Sequence, residues 1–176
     1  MPELRYAKLS DINAITKLIA LSARTLGGEF YKNDTIESAL KSAFGVDTQL
    51  IKDQTYFVIE KNLQLIACGG WSYRKTLFGS DNSNLRDPEK LNSKTGTAKI
   101  RAFFIHPDYA RQGFGTQIIK HCEQEASKHG FNTIELMGTL SGVSFYEKHG
   151  YHGDKTIAYT MNDNSSIEFL PMMKKL

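Results

Sequence analysis

Residues 98–137 have the pattern of a strand, a helix and a second strand in close succession. The strand predicted over 98–105 ends at His106-Pro107-Asp108, and the helix predicted over 114–129 carries one apolar stripe and ends at Gly130. A second strand is predicted over 131–137. Two strands connected through a helix must be parallel, with a right-handed crossover. The segment therefore predicts an α/β fold that contains a parallel strand pair.

The flanking sequence predicts helices and hairpins around this unit. Segment 75–96 is polar and, at about 20 residues, exceeds the usual loop ceiling of roughly 12–15, so it is interpreted as either a mobile lid or a loosely held stretch. The other predicted elements are a helix over 11–25, a helix from Asp34 to Gly45, a hairpin of 55–59 and 63–73, a short helix over 141–149, and a final hairpin of 151–161 and 165–173.

Composition narrows the class of protein. The 176 residues carry a formal charge of only +3, which argues against a nucleic-acid partner. Two cysteines, Cys68 and Cys122, lie far apart, which excludes a disulfide scaffold and favours a reducing compartment. No apolar run approaches 18 residues, and the first residues do not have the pattern of a signal peptide. We therefore expect one soluble domain over 1–176, cytoplasmic and without a membrane partner.

The turn before the central helix has the features of a phosphate-binding loop. Gly113-Phe114-Gly115 leaves successive backbone N–H groups uncovered at a helix start, where the helix dipole adds positive charge. A dinucleotide fingerprint would need a third glycine, but position 118 is Ile, and the Gly-Lys-Ser/Thr of a P-loop is absent. Two glycines at a helix entry can also serve close packing alone, and this alternative stays open on the loop's own pattern.

Two motifs together resemble a known family. His106-Pro107-Asp108-Tyr109-Ala110-Arg111-Gln112-Gly113-Phe114-Gly115 is similar to the acetyl-CoA signature of the GCN5-related N-acetyltransferases (GNAT family), and Phe145-Tyr146-Glu147-Lys148-His149-Gly150-Tyr151 is similar to its second signature. The resemblance implies the acyl-CoA N-acyltransferase fold. This is a mixed, mostly antiparallel sheet with one parallel strand pair and helices on both faces.

The resemblance also implies roles for individual residues. Tyr146 would stand beside the thioester sulfur and protonate the departing thiolate. The family often has Asn where this chain has Thr139, and its first signature position is occupied here by Ala110, so both positions depart from the pattern. The remaining implied contacts to acetyl-CoA are the backbone of Phe103, Phe104 and Ile105 to the pantetheine arm, and the amides of Arg111, Gln112, Gly113, Phe114, Gly115 and Thr116 to the pyrophosphate.

The reaction also needs an oxyanion donor and a general base. A backbone N–H of Phe104 or Ile105 is the expected oxyanion donor, as in the family. Glu135 is the only acid in the second parallel strand and is the first candidate base, although an outward-facing, solvated role fits it as well. Glu168 is a weaker candidate. No metal is expected, because His121 and Cys122 lack a second ligand pair.

These observations favour an enzyme that transfers an acetyl group directly from acetyl-CoA to a primary amine. The alternatives are a non-catalytic acyl-CoA-binding regulatory module and a related acyltransferase with a different donor. The acceptor is a small-molecule amine or a protein amine, and Trp71, Tyr73 and Arg74 are expected either to line its pocket or to form a half-exposed strand end. An edge strand in the final hairpin could pair across a homodimer.

Overall fold

The computed structural model describes all 176 residues, and a seven-stranded sheet forms its centre. The chain also contains two short 3₁₀ turns, Leu9–Asp11 and Pro107–Tyr109. The strands are β1 (Glu3–Tyr6), β2 (Tyr56–Lys61), β3 (Gln64–Ser72), β4 (Ala98–Ile105), β5 (Thr133–Thr139), β6 (Ile157–Thr160) and β7 (Ser166–Lys175). The helices are α1 (Ile12–Leu26), α2 (Asn33–Ala39), α3 (Thr48–Lys52), α4 (Phe114–Lys128) and α5 (Val143–Lys148).

The sheet has the order β1-β2-β3-β4-β5-β7-β6, and every neighbouring pair is antiparallel except β4 and β5. The predicted mixed α/β fold class, with one parallel strand pair, is confirmed. β4 and β5 pair only at Ala98–Ile134 and Lys99–Glu135. Beyond these residues no pairing joins the two strands, so a wedge opens between their carboxyl ends.

Both faces of the sheet are buried, as expected for a sheet with a parallel pair. On one face, α1 and α2 pack through residues such as Ile15, Ile19 and Ile36. On the other face, α4 buries the apolar stripe that contains Ile118 and Cys122. α1 and α4 thus cover β4 from opposite faces of the sheet, on either side of the wedge.

Two predicted elements differ from the structure, and two elements of the structure were not predicted. The second helix ends at Ala39, because the Phe44 amide folds back to the Ala39 carbonyl in a tight turn, and α3 and β1 follow no pattern singled out in the sequence. The first arm of the final hairpin begins at 157 rather than 151. Residues 151–156 make only one bridge, His152 to Met173, where the backbone of Gly153 crosses close to the Pro171 carbonyl.

Segment 75–96 is anchored to the body of the protein, which corrects the expectation of a mobile or loosely held loop. Arg101 of β4, 2% exposed, donates to the carbonyls of Thr76 and Gly79. The same guanidinium donates to Asp47, which also accepts from Arg86 of the segment itself. These bonds hold the segment as a fixed wall over one end of the wedge.

The Asp47 carboxylate is the centre of this anchoring. Burial lowers the pKa of Arg101, and the charge of Asp47 offsets only part of this effect. We expect Asp47→Asn to lower the free energy of unfolding by about 3–5 kcal/mol, because two guanidinium groups lose their counter-charge. For a chain of this size the midpoint of thermal unfolding should fall by about 6–20 °C. Glu89→Gln, which removes an exposed partner of Lys75, should cost below about 1 kcal/mol, and an equal effect of both substitutions would contradict the assignment.

Candidate active site

A β-bulge in β4 shapes the mouth of the wedge. Ala102 and Phe103 together lie opposite Gly69, and Ala102 takes a positive φ of 52°. The Tyr56 hydroxyl donates to the Ala102 carbonyl at 2.8 Å and fixes the bulge from below. The Phe103 ring covers Gly69 so closely that a Cβ there would lie 2.6 Å from a ring carbon. A glycine at 69 therefore lets the Phe103 ring line the wedge.

The amino end of α4 lies at the other side of the wedge. Its N-cap, Gly113, has a φ of 90°, and a Cβ at this position would meet no atom within 4 Å. At Gly115 the glycine serves packing, because its Cβ would lie 3.1 Å from the Phe145 ring. The amides of the first helical turn have no carbonyl partner within the helix. Backbone donors and the positive end of the helix dipole thus face open space, as a phosphate site requires.

A cleft of about 490 Å³ runs along the wedge from this helix end to Tyr146. It contains positive charge from Arg111 and Lys148 and no carboxylate. Among the residues predicted for acetyl-CoA, only Gln112 does not line the cleft, because its side chain turns back to the Asp108 carbonyl. The predicted residues that do line it are Phe103, Phe104, Ile105, Arg111, Gly113, Phe114, Gly115, Thr116, Thr139 and Tyr146.

Tyr146 stands at the inner end of the cleft on α5. It is 8% exposed, and its ring packs against those of Phe145, Phe103 and Tyr151. Burial raises the pKa of the Tyr146 phenol above its ordinary value, and the nearby Cys122 adds to this. The hydroxyl is therefore protonated at neutral pH and can donate a hydrogen bond or a proton to a group in the cleft.

Comparison with known proteins identifies this arrangement. The model of the acetyltransferase (GNAT) family matches residues 25–151, which is more than half of the chain. The chain belongs to the GNAT family. The members of this family are acetyl-CoA-dependent N-acetyltransferases. A search among curated proteins finds no significant match.

Solved structures of other GNAT proteins share the fold at low sequence identity. A GCN5-related N-acetyltransferase from Rhodopseudomonas palustris aligns with a TM-score of 0.73 at 16% identity, over 100% of this chain and 96% of its own. The PaiA N-acetyltransferase of Thermoplasma acidophilum, in complex with coenzyme A, aligns with a TM-score of 0.67 at 14% identity, over 100% and 99%. A GNAT acetyltransferase of Brucella melitensis, in complex with acetyl-CoA, aligns with a TM-score of 0.55 at 14% identity, over 86% of this chain and 83% of its own.

A second, smaller cavity of about 60 Å³ lies at the inner end of the GNAT cleft. It shares Phe44, Phe103, Phe104, Thr139 and Tyr146 with the larger cleft, so the two cavities meet at the Tyr146 ring. Its far wall is formed by the anchored segment, through Leu77, Phe78 and Gly79. Tyr146 thus lines both a long, positively charged cavity and a short one whose lining residues are mostly apolar.

Several residues of the cleft were not predicted from the sequence. Tyr31 lines it, donates to the Glu168 carbonyl and accepts from the Leu140 amide, and burial raises the pKa of this phenol to about 12. Ser22 of α1 accepts from the Ile105 amide at 3.2 Å, so one of the two expected oxyanion donors is already engaged. Gly27-Gly28, which follows α1, is the local feature of the sequence nearest this wall, and Gly27 lines the cleft.

The structure does not bring the candidate bases to the cleft. Glu135 lines neither cavity, and its carboxylate pairs with Lys99, which is 7% exposed. Glu168 contributes only its backbone carbonyl, to Tyr31, and its side chain is exposed. The ring of His106 accepts from the Asp108 amide and caps the turn after β4.

Trp71, Tyr73 and Arg74 line neither cavity, and of the two alternatives for them only Tyr73 and Arg74 fit the half-exposed strand end. Trp71 is 1% exposed and packs against Phe131 and His129 in the core under α4. Arg74 pairs with Asp53 at 2.6 Å. The far wall of the small cavity is formed by residues 77–79 of the anchored segment that follows β3, and not by the end of β3 itself.

No helix of the chain combines the length and the apolar character that a membrane span requires.

Proposed function

We propose that this chain is an acetyl-CoA-dependent N-acetyltransferase that transfers the acetyl group directly to an amine. The observation that carries this proposal is one continuous path through the wedge. It begins at the uncovered amides of the α4 amino end, passes between β4 and β5, and reaches the phenol of Tyr146. Membership of the GNAT family, and the coenzyme A and acetyl-CoA complexes of related folds, support the same reading.

Different residues of the cleft bind different parts of acetyl-CoA or take part in the transfer. The first-turn amides of α4 bind the pyrophosphate, and Arg111 and Lys148 add positive charge beside them. The unpaired edge of β4 binds the pantetheine arm as an added strand. The Phe104 amide is the remaining candidate for an oxyanion donor, since Ser22 holds that of Ile105. Tyr146 donates its proton to the departing thiolate, whose thiol has an ordinary pKa of about 8.5, and the proton that leaves the acylated nitrogen restores the phenol.

The raised pKa of Tyr146 predicts the alkaline side of the pH profile. The donor is the protonated phenol, and burial disfavours the phenolate, so the active form persists above about pH 10, the ordinary phenol value. Because the neutral amine is the reactive form, we expect kcat/KM for the acceptor to rise with pH toward the amine's own pKa, about 10.4 for a lysine-like amine, with no fall below about pH 10. Initial rates between about pH 6 and about pH 10.5 test this. A fall with an apparent pKa clearly below about 10 that is absent in Tyr146→Phe would contradict the assignment.

The proposal itself is tested in two steps, binding and turnover. Acetyl-CoA at about 100 times its dissociation constant should add roughly 2.7 kcal/mol of stability, a rise of about 5–10 °C in the unfolding midpoint. ATP and NAD serve as controls at equal concentration. Release of free CoA thiol in the presence of amines then separates an enzyme from a module that only binds acyl-CoA, and longer acyl-CoAs as competitors test the donor. No stabilisation by acetyl-CoA in a folded sample would refute the proposal.

A further inference from the structure

The small cavity beyond Tyr146 has aromatic walls and no acidic side chain. Its only charged lining residue is Arg101, and no Asp, Glu or His lines it. Rings from five parts of the chain surround it: from the turn after α2, the anchored segment, β4, α5 and β7. These rings belong to Phe44, Phe78, Phe103, Phe104, Tyr146 and Phe169. Most of the lining residues are apolar, although polar groups make up about half of the accessible wall.

The one carboxylate behind this cavity is fully used by the protein. Asp47 is 2% exposed and accepts from the guanidinium groups of Arg101 and Arg86 and from the Gln49 amide. Arg101 also donates to the carbonyls of Thr76 and Gly79, so three of the five N–H donors of its guanidinium are engaged. Asp47 does not line the cavity and is held by two guanidinium groups, so it offers no acceptor to an ammonium ion.

The physical consequence concerns the charge of the acceptor. A second ammonium group, carried in the same molecule as the reacting amine, would lie among aromatic rings next to Arg101 without a counter-charge, which is strongly unfavourable. The reacting amine itself meets no carboxylate or imidazole that could take its proton inside the cavity, so it must arrive as the free base. The volume of the cavity limits the size of the acceptor. One water occupies about 10–15 Å³ of such a volume, so a cavity of about 60 Å³ has room for about four to six waters.

We propose that the acceptor is a small monoamine with an apolar body, which enters the aromatic cavity as its neutral free base. This inference rests on the proposed N-acetyltransferase function and deepens it. The substrate class is set by three features together: the rings of the wall, the absence of a free carboxylate, and the small volume. Polyamines, aminoglycosides and lysines within basic peptides are excluded because each carries a further cation near the reacting nitrogen.

A panel of acceptors tests the proposal on the unmodified protein. Benzylamine and hexylamine represent the proposed class, and putrescine, spermidine and a basic lysine peptide represent the excluded one. With CoA thiol release as the readout, kcat/KM should be at least about 100-fold higher for the monoamines, equivalent to about 2.7 kcal/mol. A preference for any acceptor with a second cation would overturn the inference while leaving the proposed function intact. Stabilisation by acetyl-CoA without turnover of any amine would refute the proposed function, and the inference with it.

One substitution tests the cause of the preference. Met137 of β5 is half-buried and lines the small cavity, so Met137→Glu places a carboxylate there. We expect the ratio of kcat/KM for putrescine over that for hexylamine to rise at least about tenfold. Leu85→Glu makes the same change at a site of the anchored segment that is 61% exposed and outside the cavity, and should leave the ratio unchanged. An unchanged ratio in Met137→Glu that still binds acetyl-CoA would overturn the assignment of this cavity to the acceptor. The panel on the unmodified protein decides the proposal if this variant does not fold.

Discussion

Tyr146→Phe is expected to lower kcat by about 10²–10⁴-fold, the usual contribution of a positioned general acid. The dissociation constant for acetyl-CoA should stay within about threefold, because the ring still packs against Phe103 and Phe145 and only the hydroxyl is lost. Steady-state rates of CoA thiol release give kcat, and the thermal shift with acetyl-CoA reports binding. The loss should affect kcat and kcat/KM alike, since the proton is needed only as the thiolate departs.

Tyr151→Phe is the matched control. This neighbouring phenol is also buried, but it donates to Glu123 and lines neither cavity. Its loss should cost about 1 kcal/mol of stability with kcat nearly unchanged. If the two variants lost activity equally, or if Tyr146→Phe lost acetyl-CoA binding, Tyr146 would have a packing role and the direct-transfer scheme would need another proton donor.

The parts of the site that lie close together along the chain could be predicted from the sequence. The end of β4, the turn at Gly113 and the first turn of α4 form one continuous stretch, so their joint chemistry is visible in the order of residues. Local rules also gave the boundaries of β4 and α4. Tyr31 and Ser22 reach the cleft only because α1 packs across the sheet, and no local pattern carries that information.

The register of the parallel pair explains why Glu135 is a plausible general base in the sequence but lies outside the cleft in the structure. Alternation along β5 shows which residues share a face, but not where along the strand the wedge opens. Glu135 pairs with Lys99 at the closed end, where β4 and β5 are still joined. Thr139, on the same face at the open end, lines both cavities. A shift of four residues along one strand thus separates a structural ion pair from the cleft.

Gly113→Asp is expected to weaken acetyl-CoA binding by at least about 1000-fold while leaving the protein folded. A like charge set against a bound anion costs several kcal/mol, and about 4 kcal/mol corresponds to this factor. An aspartate at the N-cap is also placed to accept from the amides of Gly115 and Thr116, which are the groups that a pyrophosphate needs. The fold has room for it, because a Cβ at Gly113 meets nothing within 4 Å. Isothermal titration with acetyl-CoA and with CoA measures the loss.

Gly113→Ala separates charge from backbone strain. Both variants place a side chain at a φ of 90°, which costs roughly 1–2 kcal/mol of stability for an ordinary residue. That strain is present with and without ligand, so it lowers the unfolding midpoint but largely cancels from the dissociation constant. We therefore expect Gly113→Ala to bind acetyl-CoA within about tenfold of the unmodified protein, and Gly113→Asp to bind far more weakly. Similar affinities for the two variants would mean that the pyrophosphate lies away from the α4 amino end, since a charge at its N-cap would then have no anion to repel.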